Sequence, residues 1–76
     1  MQTRFGNKSM KINAINSVIE SGEKLTIGDI AERLNRELDI TLNIKNLGMF
    51  IHWNMKHSHF RMSRSLKGNV VELEVL

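Results

Sequence analysis

Three histidines, His52, His57 and His59, fall within eight positions of one another, and closely spaced imidazoles could hold a metal or transfer a proton. On a helix, however, His52 and His57 point to different sides, and no acid or cysteine lies near His57 and His59 to complete a coordination set. No metal and no cofactor is expected. The imidazoles read instead as neutral groups near phosphate, or as exposed residues at a helix end, where a protonated ring is favoured by the last carbonyls. No serine, histidine and acid arrangement, no phosphate-cradling glycine loop and no close carboxylate pair stands out. A chain of 76 residues is also too small to surround a substrate. It is expected not to be an enzyme, and no small-molecule substrate is evident.

The chemistry that the residues do suggest is polyanion binding. Residues 40–71 contain Lys45, Lys56, Arg61, Arg64, Lys67 and all three histidines, without one Asp or Glu. Residues 1–19 carry Arg4, Lys8 and Lys11 and no acid, whereas residues 20–39 set six acids against three cations. A basic excess of this size also occurs by chance in small domains and speaks by itself only to solubility and non-specific association. The sharper signal is local. At about 100° per residue, a helix over 44–57 collects Lys45, Asn46, Met49, His52, Trp53 and Lys56 on one carboxylate-free stripe. A helix laid against duplex DNA needs such a face: cations to displace counterions from phosphate, and a few side chains for base edges. Asn46 suits adenine, Met49 a thymine methyl, and Lys45 and Lys56 phosphate or guanine.

The whole chain bounds these readings. Seventy-six residues make one domain, with 41% hydrophobic residues, 25% charged residues and a net charge of +3, a globular balance rather than a disordered or polybasic one. Without cysteine, disulfides and thiolate zinc sites are excluded. No signal peptide and no 20-residue apolar run is visible, so a soluble, cytoplasmic protein with no membrane association is expected.

The elements that would position the basic stripe follow from periodicity. Ile12, Ala14, Ile15, Val18 and Ile19 predict a first helix over about 8–21, stopped by Gly22. Residues 23–25 connect, with extended character at Leu25. Thr26 with Asp29 has the spacing of a capping box, and Ile27, Ile30, Ala31, Leu34 and Leu38 line one face of the helix it opens. Ile40 and Thr41 interrupt that pattern. Asn43 then caps the third helix, whose core stripe is Ile44, Leu47, Gly48, Ile51 and Met55, flanked by Phe50. From Phe60 the period falls to two, and Gly68-Asn69 joins two alternating runs as a hairpin. A two-residue turn opposes Arg64 to Leu73 and Met62 to Val75. A three-residue turn opposes Arg64 to Glu72, and both registers stay open.

Helix, extended segment, helix, turn, helix and hairpin in this order resemble the winged helix-turn-helix family. The likeness is carried by Leu25-Thr26-Ile27-Gly28-Asp29-Ile30-Ala31-Glu32-Arg33-Leu34 as positioning helix, Asn43 to Lys56 as second helix of the motif, and Phe60 to Val75 as wing. The turn over Asp39 to Asn43 is longer than the minimal three or four residues and lacks glycine. The fold class implied is mainly α (α+β), three helices with a C-terminal two-stranded wing, spanning residues 9–76 behind a flexible basic arm at 1–8. The resemblance implies sequence-specific binding of double-stranded DNA by a small transcriptional regulator, with the third helix in the major groove. Arg61, Arg64 and Lys67 then serve as the wing's phosphate contacts, and Arg4 and Lys8 extend the footprint. Homodimerisation through the first helix or the arm is an option.

The alternative is a winged-helix module that binds a protein. Trp53 decides much of this, because a single tryptophan in a small domain is often core, whereas an exposed Trp53 beside Met49 could anchor a partner or stack on bases.

Overall fold

The computed structural model describes residues 8–64 and 71–76. In chain order they form α1 (Lys8–Ser17), β1 (Lys24–Thr26), α2 (Ile27–Leu38), α3 (Ile44–Asn54), β2 (Phe60–Arg64) and β3 (Val71–Val75). The result is an α+β domain. Lys8, assigned from the sequence to the flexible arm, is the first residue of α1.

α2 follows the sequence most closely. Its capping box is complete: the Asp29 N–H donates to Thr26 Oγ1 at 3.1 Å, and the Thr26 N–H donates to Asp29 Oδ2 at 3.0 Å. Two orphan amides of the first turn are thereby satisfied. Ile30 and Leu34 are fully buried, while Leu38 at the helix end is exposed. The chain then turns at Asp39, which adopts the left-handed conformation (φ 53°) that short polar residues tolerate better than most. The Ile40 N–H closes back on the Leu34 carbonyl at 3.2 Å, and the Ile40 side chain drops into the core. Asp39 thus supplies the geometry for which the sequence offers no glycine.

α1 ends at Ser17, four residues short of the expected end. The Val18 N–H donates to the Ile15 carbonyl three residues back, so the last turn tightens and Val18 enters the core from a turn. Gly22 does not cap this helix. With φ at 82° it turns the chain into β1, and its N–H donates to the Val75 carbonyl at 2.8 Å.

The sheet has three strands rather than the expected two, in the order β1-β3-β2, both pairs antiparallel. Three residues at 24–26 are too short to show alternation, yet Leu25 pairs with Leu73 and is buried. In the hairpin Arg64 opposes Val71, Met62 opposes Leu73 and Phe60 opposes Val75. Neither expected register occurs. The observed one differs from the two-residue-turn expectation by two positions, so the same side chains still face inward. Phe60, Leu73 and Val75 join Ile15, Ile30, Leu34, Leu47, Ile51 and Met55 in one core, with Met62 and Val71 packed against it.

A second anchor lies outside this core. Arg33 on α2 forms a two-pronged ion pair with Glu23, one prong at 2.8 Å, and also donates to the Val18 carbonyl at 3.0 Å. The guanidinium hydrogen bond holds the Glu23 carboxyl below the ordinary glutamate range, and Arg33 is correspondingly raised by Glu23. One side chain therefore ties α2 to the end of α1 and to the approach to β1.

Candidate nucleic-acid interface

The expected binding face depends on α3, whose start is set by Asn43. Its Oδ1 accepts from the Lys45 N–H at 2.8 Å and from the Asn46 N–H at 3.4 Å. These amides are occupied by the cap, so any affinity for anions at this end must come from side chains. Inward, Leu47, Ile51 and Met55 are buried, and Gly48 lies beside the Ile27 side chain. Ile44 departs from the expected core stripe. At the first position of the helix it stands beyond the packed layer and is 56% exposed.

Outward, Lys45, Asn46, Met49, His52 and Trp53 are all exposed. Trp53 is 76% exposed, which settles its place on the surface. Its ring meets that of His52 edge to face, with centroids 5.1 Å apart. Asn46 reaches the border with α1, where it lines an apolar cleft with Lys11, Ile15, Leu42, Leu47 and Phe50. Phe50 is half-buried there and lies 5.2 Å beneath the Lys11 ammonium.

Lys56 is not on α3. The helix ends at Asn54, the Lys56 N–H donates to the Ile51 carbonyl, and His57 takes a positive φ of 74° as the chain reverses toward β2. Lys56 and Phe60 form an isolated bridge across this reversal. The displacement moves Lys56 toward the sheet, where it lines a shallow groove with His52, Met62, Ser63, Arg64 and Val71. Arg64, expected on the wing, thus joins His52 and Lys56, which the sequence places together on one helical stripe.

Arg61 stands apart from them. It points to the outer sheet face, 3.6 Å from Glu74, in a row that runs Lys24, Glu74, Arg61 across the three strands. The acid-free stretch in sequence is therefore not acid-free in space, since β3 sets Glu74 against Arg61 and Glu72 against Ser63. Only strand pairing reveals this. Lys67 and Arg4 lie outside the described residues.

Among the described residues no group of three His, Cys, Asp or Glu side chains could hold a metal ion, and no helix is long and apolar enough to cross a membrane. His59 Nδ1 instead lies 2.7 Å from Ser58 Oγ. No family model matches the chain, and the comparisons with curated proteins and with solved structures gave no match. Function has to be argued from the geometry of this surface.

Proposed function

We propose that the chain is a winged helix-turn-helix domain that binds double-stranded DNA with sequence preference, as a small transcriptional regulator. α3 enters the major groove, and the β2–β3 hairpin lies on the flanking backbone. The observation that carries this reading is the outward face of α3, where Lys45, Asn46, Met49, His52 and Trp53 are exposed together without a carboxylate. The order of elements and the β1-β3-β2 sheet support it. Asn46 and Met49 contact base edges, while Lys45, Lys56, Arg64 and Lys67 neutralise phosphate. Arg61, already paired with Glu74, contributes less.

Exposure of Trp53, Met49 and Ile44 on one helix favours a second reading, a module that docks on a protein through this apolar surface. Titration with mixed-sequence duplex at low and moderate salt separates the two. Four neutralised phosphates give a log-log salt slope of about −3.5, and Trp53 fluorescence changes in step with the anisotropy of labelled DNA. If no duplex binds even at low salt, the protein-docking reading takes over.

A further inference from the structure

The exposed indole of Trp53 and the cationic groove beside it suit a nucleotide whose base has left the helical stack. Trp53 follows the fully buried Ile51 by two residues, which places it about 160° around α3 from the core. With α3 in the major groove, Trp53 and Met49, each two residues from Ile51, would point most directly into it, and Trp53 is the larger. A paired base offers only its edge there, a row of hydrogen-bond donors and acceptors, and an indole has a single N–H donor and no acceptor. The large apolar faces of an indole are matched by the face of a base, which continuous duplex hides.

His52 links this platform to the groove. Its ring abuts Trp53 at 5.1 Å, and the same residue lines the groove with Lys56 and Arg64. Among the described residues no carboxylate lines that groove. Stacking surface and phosphate-binding surface are therefore contiguous through one side chain.

We infer that α3 and β2 together form a single-nucleotide site: an unstacked base lies on Trp53 and its phosphate on Lys56 and Arg64, so DNA containing an unpaired base is preferred over continuous duplex. This rests on the DNA-binding reading and specifies the form of DNA. Neither a paired helix nor an isolated phosphate would fill both halves of the site.

The test compares three labelled probes of one sequence by anisotropy: continuous duplex, the same duplex with one unpaired base, and single strand. The 76-residue chain should bind the unpaired-base probe on the order of tenfold more tightly than duplex, the scale of one base–aromatic stack. Trp53→Ala should remove that preference by weakening the unpaired-base probe on the order of tenfold more than the duplex, whereas Trp53→Phe should keep most of it. Arg64→Gln should weaken binding to all three probes and reduce the salt slope by about one. Circular dichroism checks that the exposed substitutions leave the fold intact. Equal affinity for paired and unpaired probes, or equal loss on both with Trp53→Ala, overturns the nucleotide site but leaves DNA binding standing. Absence of binding to all three probes overturns both.

Discussion

Gly22 and Gly48 have similar room around their α-carbons and should respond oppositely to alanine. At Gly48 a new Cβ would lie 3.8 Å from Cγ1 and Cγ2 of Ile27, an ordinary van der Waals contact, and the residue sits in the interior of α3. Alanine there gains about 1 kcal/mol of helix propensity and loses nothing to overlap. At Gly22 a Cβ meets nothing within 4 Å, but φ is 82°. Its N–H bond to Val75 ties that conformation to the sheet. Left-handed backbone costs an L-residue about 1–2 kcal/mol, offset by about 0.4–1 kcal/mol from a less flexible unfolded chain. Gly22→Ala should therefore destabilise by about 1 kcal/mol. In a domain of this size, 1 kcal/mol moves the melting temperature by roughly 4–8 °C. Thermal and urea unfolding followed by circular dichroism should show Gly48→Ala melting higher than the parent and Gly22→Ala lower, with the urea m-value unchanged. Gly48→Ala leaves the outward face of α3 untouched, so DNA affinity should hold. Destabilisation by Gly48→Ala would refute the packing assigned between α3 and Ile27, and tolerance at Gly22 would refute the turn geometry.

Thr26→Ala removes the acceptor of the capping box and should cost about 1 kcal/mol, read from the urea midpoint; an unchanged midpoint would remove the cap from the account of α2. Lys45→Glu should weaken binding to every duplex and lower the magnitude of the salt slope by at least about one, whereas Asn46→Ala should mainly narrow the gap between preferred and mixed sequence. Acid should weaken the Arg33 anchor. Because the Glu23 carboxyl titrates lower in the folded chain than unfolded, its contribution is complete above the ordinary glutamate range and is lost as pH falls through the depressed folded value. Stability of the parent and of Glu23→Gln, measured against pH, should converge at the acid end; a constant gap would contradict the pairing.

What could be read in advance follows the range of the interactions. α2 declared itself because its cap, apolar period and packed face lie within 13 residues, Thr26 to Leu38. The outward face of α3 was legible for the same reason, and Trp53 falls on the exposed side that helical geometry assigns it. Alternation set which hairpin residues face inward, but it could not distinguish registers two positions apart, since both present the same faces. The apolar spacing of Val18 and Ile19 continued past the true end of α1 because a buried residue in a tight turn looks like one more helical position. Lys56 was misplaced for a related reason: α3 ends at Asn54 with Met55 as its cap, the chain then reverses through the positive φ of His57, and neither methionine nor histidine announces a turn strongly. Helical spacing already puts His52 and Lys56 together, but the approach of Arg64 to them depends on that reversal, and no spacing rule could have found it.

The central position of β3 has a consequence for how the molecule comes into being. Among the described strands β1 and β2 each pair with β3 and not with one another, and Lys24 lies fifty positions before its partner Glu74. On the ribosome, all three helices and both outer strands are synthesised before the strand that joins them. Helical turns close locally within microseconds, but the sheet must wait for a long-range encounter whose loop-closure entropy is met all at once. Until then Leu25 and Phe60 have no Leu73 and Val75 to cover them. A nascent or nicked chain lacking β3 thus leaves Leu25 and Phe60 as exposed apolar strand residues, open to chaperones and proteases, and β3, made after the elements it joins, acts as the latch that commits the domain to its fold.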